Sequence, residues 1–108
     1  MRGLHHPTID AIDLLSVLNA LADPIRLAIV VKLADETEHP CTGFDFGVTA
    51  ASMSHHFRVL REAGISITRQ EGKYRWLSLR RADLDSRFPG LLDALLRAAH
   101  NRKENTAQ

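Results

Sequence analysis

A chain of 108 residues, 44% hydrophobic and with one cysteine, has the length of a single domain and enough apolar content for one core, which leaves no room for a second. Its apolar runs fall far short of the roughly 20 residues a membrane span needs, and its first residues lack the apolar stretch of a signal peptide. A lone Cys41 excludes a disulfide within the chain, so a cytoplasmic protein is expected.

The formal charge of +1 conceals a division along the chain. Residues 1–49 carry three basic side chains against seven acidic ones, whereas residues 50–81 carry seven basic ones (Arg58, Arg61, Arg69, Lys73, Arg75, Arg80 and Arg81) against Glu62 and Glu71. A basic middle behind an acidic leading segment is the pattern of a local phosphate-facing surface in a protein that is not basic overall. A solvated charged face would give the same count.

In chain order, residues 1–7 are expected to be flexible. The first helix should begin near Thr8 as N-cap and use Ile9, Ile12, Leu14, Leu15, Leu18 and Leu21. That is more apolar surface than one narrow stripe, and it asks for a second surface to bury against, a subunit contact. Asp23-Pro24 is a restart signal, Asp as N-cap and Pro at the first helical position, followed by Ile25, Ala28, Ile29 and Leu33 at helical spacing. Residues 37–47 contain Pro40, Gly43 and Gly47, so a third helix there is short or irregular, with Phe44 and Phe46 plugging the core.

Thr49 then caps a helix that Gly64 ends. At 3.6 residues per turn Met53, Phe57 and Leu60 fall on one stripe with Ala63 at its edge. The opposite face carries Ala51, His55, Arg58 and Glu62, flanked by Ser52, Ser54, Val59 and Arg61. Hydroxyls, an imidazole and guanidiniums suit a groove of DNA. Ser52 and Ser54 can donate to phosphates or base edges, while His55 and Arg58 project furthest and are the candidates for base readout, Arg toward guanine O6 and N7. His56 leans toward the core stripe and reads as a boundary histidine with a satisfied ring nitrogen.

Residues 65–70 and 74–79 alternate as two short strands around a turn at 71–73, in which Gly72 supplies a positive φ. Arg69, Lys73 and Arg75 near the hairpin tip would meet phosphates or the minor groove, adding affinity with little sequence information. Arg61 and Arg80 read equally as ion-pair formers with Glu62 or Asp83, and at least one of Tyr74 and Trp76 as filling of the hairpin. Residues 82–88 form one or two helical turns and Pro89-Gly90 a break. Leu91, Leu92, Leu95, Leu96 and Ala99 make a last amphipathic helix, followed by a flexible polar tail over residues 101–108.

Over about residues 12–99 this order resembles the ArsR/SmtB family of winged helix-turn-helix repressors. The resemblance rests on Leu18-Asn-Ala-Leu-Ala-Asp-Pro-Ile-Arg-Leu27, Ser54-His-His-Phe-Arg-Val-Leu-Arg-Glu-Ala-Gly64 and the hairpin around Glu71-Gly72. It implies a mainly α fold of about five helices plus a two-stranded wing, one domain over residues 1–108, and a homodimer through the first and last helices. It further implies a non-enzymatic regulator that represses by occupying a palindromic operator of double-stranded DNA through helix 49–63 and wing 65–79, and is released by an effector.

Relatives sense metals through a Cys-x-Cys pair, but Cys41-Thr42-Gly43 lacks the second sulfur. On the last helix Asp93 and His100 are seven residues apart with no second histidine, and one cysteine cannot form the internal bridge of a persulfide sensor. No metal ligand and no cofactor is therefore assigned, and the effector is an unidentified small organic molecule or none. Two alternatives stand beside this reading: a zinc-responsive sensor drawing on His5, His6, His39, Cys41 and His100 of two subunits, and a winged helix that binds protein without DNA. The second rests on Ala50-Ala51, where relatives often carry polar or basic residues that grip phosphate. An enzyme using Cys41 with His39 as base finds no supporting motif.

Overall fold

The computed structural model describes residues 4–106, with the side chains of the last helix described to Arg102. Two aspartates organise the N-terminal half. Asp13 Oδ2 accepts from the Ser16 amide at 3.1 Å and opens α1 (Leu14–Leu21). Asp23 Oδ2 accepts from the amides of Ile25 and Arg26 at 2.9 and 3.0 Å and, with Pro24 in the first turn, opens α2 (Pro24–Leu33). Between the two helices the chain bends by 103°.

Thr8 makes no side-chain cap, against expectation. Ile9–Ala11 form one 3-10 turn, Ile12 turns extended, and α1 starts only at Leu14. The break has a packing reason: Ile12 is 1% exposed, and its carbonyl accepts from Arg87 at 2.7 Å, which a continuous helix would not allow. Leu14, Leu15 and Leu18 face outward, Leu15 at 71% exposure, while Val17, Ala20 and Leu21 face the core.

The hairpin forms where expected, with Glu71 in the first strand rather than in the turn. β2 (Ser66–Glu71) runs antiparallel to β3 (Tyr74–Leu79), from Ser66 opposite Leu79 to Glu71 opposite Tyr74, and Gly72 holds φ +62° in the turn. A third strand that the sequence does not announce, β1 (His39–Pro40), lines the other side of β3, with His39 opposite Leu77 and Pro40 opposite Trp76. Two residues carry no alternation to read. After it Cys41–Gly43 make a single 3-10 turn. Phe44 plugs the core as expected, but Phe46 stays 37% exposed because the chain has by then turned away toward the next helix.

That helix, α3 (Ala50–Glu62), is capped by Thr49, whose Oγ1 accepts from the Ser52 amide at 3.0 Å. It ends in a Schellman motif: the Ile65 amide donates to Leu60 O at 3.0 Å and the Gly64 amide to Arg61 O at 3.1 Å, with Gly64 at φ +85°. The chain closes with α4 (Arg81–Arg87) and α5 (Leu91–Thr106). No Gly or Pro interrupts residues 101–106, and the helix runs through the part expected to be a loose tail; residues 107–108 lie outside the described residues. Residues 4–7 are likewise held by hydrogen bonds rather than loose, and residues 1–3 lie outside the described residues. Ile12, Ile29, Leu33, Leu60, Ile65 and Leu77, all at most 1% exposed, are the centre of the core.

A Cβ on Gly64 would sit 2.6 Å from Ile12 Cγ1, on a backbone conformation that L residues avoid. Gly64→Ala is expected to lower stability by about 2 to 4 kcal/mol, the sum of the left-handed penalty and overpacking, read as a shift of the urea midpoint at unchanged m-value.

Candidate nucleic-acid interface

The seat of α3 is built from its inward stripe. Met53, Leu60 and Ala63 are buried, and Phe57 lies edge-on to Phe44 with ring centroids 5.6 Å apart. His56 joins them at 8% exposure. Its Nδ1 lies 3.1 Å from Arg26 Nη1 and 3.8 Å from Asp23 Oδ2. A guanidinium only donates, so the nearer partner makes Nδ1 an acceptor and leaves the proton on Nε2. Arg26 also donates through Nε to Ala20 O at 2.6 Å, which ties the end of α1, the first turn of α2 and the middle of α3 together. Burial pushes the Asp23 carboxyl up, but the Arg26 amide and charge and the Ile25 amide outweigh it and hold it below the ordinary carboxylate range. His56 is thus the satisfied boundary residue its position predicted.

With the inward stripe fixed, Ser54, His55 and Arg58 are exposed on the opposite side and Ser52 is half-buried. Arg58 Nη2 lies 3.5 Å from His55 Nδ1, so the two side chains stand beside each other one turn apart. Lys73 and Arg75 are exposed on the hairpin, Lys73 with its ammonium 5.9 Å from the Tyr74 ring centroid. Among the described residues, Arg58, Lys73 and Arg75 make no ion pair.

Arg69 differs. Its Nε and Nη2 each donate to Glu38 at 2.9 Å, and its Nη1 to Glu71 at 2.9 Å, so two carboxylates oppose its charge and raise its pKa. In the register it stands opposite Trp76, on the outer face and across β3 from β1, whereas Arg75 stands opposite Gln70 on the face that Thr68 and Leu77 bury. Arg80 is buried on Asp83 at 2.9 Å, Arg81 is engaged by Asp93, Asp85 and Glu36, and Arg61 donates to His5 O at 3.2 Å rather than to Glu62. The basic count of the middle segment therefore reduces, among the described residues, to three cations without a carboxylate partner, Arg58 on α3 and Lys73 and Arg75 on the hairpin. Glu38 lies 31 residues from Arg69, and no local signal marks the pair. Neither aromatic of β3 enters the core: Trp76 is half-buried, Tyr74 is 55% exposed, and Leu77 takes the interior position.

Ahead of α3, the place of the first helix of a helix-turn-helix is filled only by the Cys41–Gly43 turn. Cys41 is half-buried, and burial pushes its thiol up, with Arg75 pulling the other way. Among the described residues of one chain, no group of three or more His, Cys, Asp or Glu could hold a metal ion, and no single helix is long and apolar enough to cross a membrane.

No family model matches the chain. It is 34% identical over 82 residues to an uncharacterized HTH-type transcriptional regulator of Bacillus subtilis strain 168, YceK, covering 73% of this chain and 82% of the relative. It is 26% identical over 86 residues to a second from the same strain, YuzN, covering 72% and 94%. Among solved structures, one described as a possible transcriptional regulator for arsenical resistance superimposes with a TM-score of 0.59 at 28% identity, over 81% of this chain and 82% of that one. An ArsR family transcriptional regulator at 22% identity has the same fold, with a TM-score of 0.63 over 84% and 96%.

Arg69→Ala should leave the slope of log affinity for duplex DNA against log salt within about 0.3 of wild type, because a doubly paired cation displaces few counterions, whereas Lys73→Ala should flatten it by about 1. Filter binding from 50 to 300 mM salt (roughly the range in which such slopes are read) checks both.

Proposed function

The chain belongs to the HTH-type transcriptional regulators, and from that premise we propose that it is a DNA-binding, non-enzymatic regulator of the ArsR type, a dimeric repressor that reads a palindromic operator through α3. The observation that carries the reading is the outward face of α3: Ser54, His55 and Arg58 stand exposed, and Arg58 meets no carboxylate among the described residues. Arg58 supplies a bidentate fork for guanine and His55 a second base contact, with Ser52 and Ser54 donating to phosphates or base edges at the leading turns. Lys73 and Arg75 hold the backbone from the wing, and Arg69 acts chiefly within the protein, bracing the wing against the segment before β1.

The dimer is supported by α1, whose Leu14, Leu15 and Leu18 are exposed in the single chain and bury against the last helix of a second copy. Two-fold symmetry then places the recognition helices in successive major grooves, about 34 Å apart. The chain works as one domain, in the cytoplasm.

A groove of about 760 Å³, walled by α2, residues 43–46 and α5, has the size of a small-molecule site. Its wall residue Phe44 packs on Phe57 of α3, so an apolar effector seated there acts directly on the recognition helix.

Selection from a random duplex pool should return an imperfect palindrome. On the selected site His55→Ala and Arg58→Ala should each cost about 1 to 3 kcal/mol and relax the preference at one base pair. Equal losses on selected and random DNA for Arg58→Ala would remove it from the readout, and a pool that enriches no sequence would overturn the repressor reading.

A further inference from the structure

We propose that residues 4–7 are a strap that sets the wing against the recognition helix, and that the neutral imidazole of His6 is its fastening and positioning residue. This rests on the reading of α3 and the wing as the DNA-contacting surfaces. Three donors from three parts of the fold converge on four residues. Arg61 of α3 donates through Nε to His5 O at 3.2 Å, the Thr68 amide of β2 donates to His6 Nε2 at 3.0 Å, and Arg80, just past β3, donates through Nη1 to Pro7 O at 2.8 Å. Pro7 is buried, and Arg80 is itself 8% exposed and held by Asp83. The strap therefore bridges the recognition helix and the base of both wing strands, across the turn at Gly64 and Ile65.

His6 occupies the place where an absent partner costs most. In the order β1-β3-β2, β2 is an edge strand, and Thr68 is only 6% exposed. A buried edge amide has no water to turn to, and the imidazole nitrogen supplies its acceptor. The acceptor exists only in the neutral ring: Nε2 must keep its lone pair, so the proton sits on Nδ1 and serves the Leu4 backbone. Protonation sets N–H against N–H and opens the fastening.

The charges that bear on the ring oppose that protonation. Burial lowers its pKa below the ordinary 6.5, and Arg61 from α3, Arg80 from beyond β3 and His5 from the strap lower it further, against the Leu4 hydrogen bond. Because the folded pKa lies below that of the free chain, the strap is fully fastened above pH 6.5 and is lost as pH falls through the lowered value. Acid should therefore loosen the wing.

Full-length wild type, His6→Ala and His6→Gln are compared, the Gln amide oxygen standing where Nε2 stands and not titrating. Read without DNA at pH 7.5 by NMR (a pH about one unit above the ordinary histidine value), the Thr68 amide should exchange about tenfold faster in His6→Ala than in wild type or His6→Gln. Equal exchange in all three overturns the strap. On the selected duplex His6→Ala should bind about tenfold more weakly, a loss His6→Gln restores, and wild type should approach the His6→Ala affinity as the pH drops toward 5.5 (about one unit below the ordinary value), while His6→Gln does not. Faster exchange with unchanged affinity overturns the positioning role, and parallel pH profiles of wild type and His6→Gln overturn the switch. If wild type binds no duplex the repressor reading fails, and Thr68 exchange still decides the strap.

Discussion

The contact between Ile12 and Gly64 sets the geometry on which the outward face depends. Gly64 ends α3 with φ +85° and has no Cβ, so the Ile12 side chain lies directly on its backbone, and the Schellman hydrogen bonds to Leu60 and Arg61 turn the chain from helix into hairpin at that point. Ile12 is in turn fixed by Arg87 on its carbonyl. One buried side chain thus connects the segment before α1, the exit of α3 and α4. The angle at which the wing leaves the recognition helix is a packing result rather than a loop preference.

A second constraint acts at the middle of α3. The Asp23 carboxylate caps α2, the first-turn Arg26 reaches Ala20 and His56, and His56 accepts from it as a neutral ring. A charged pair of aspartate and histidine would be an alternative reading of the same atoms. The shorter distance, 3.1 Å to the guanidinium against 3.8 Å to the carboxylate, decides for the hydrogen bond. Rotation of α3 about its axis would break this contact, so the face that carries His55 and Arg58 is selected by what His56, two side chains away from Arg58, does inside.

Electrostatics divides the basic residues by function. Arg69, Arg80 and Arg81 meet carboxylates and brace elements, Arg61 holds a carbonyl of the leading segment, and Arg58, Lys73 and Arg75 meet no carboxylate among the described residues. Such a division keeps the wing rigid with the same residue type that binds phosphate, at a cost in net positive field. It also agrees with the proposal that a protein of overall charge +1 meets DNA through a local surface.

The sequence by itself determined the helices around residues 24–33, 50–62 and 91–99, the hairpin with Gly72 in its turn, the stop at Gly64 and the inward stripe of α3, because caps, periodicity and turn residues are local signals. It also determined the family, through runs of residues whose spacing is itself local. Only the tertiary structure decided which cations are spent on carboxylates, since Glu38 meets Arg69 and Asp93 meets Arg81 across segments whose approach no local pattern encodes. The same holds for the strand at His39–Pro40, the break at Ile12 and the anchoring of residues 4–7, each too short to carry a period and each fixed by a partner more than 35 residues away in the chain. Long-range pairing is chosen by the energy of the assembled core, and that energy exists only once the elements meet.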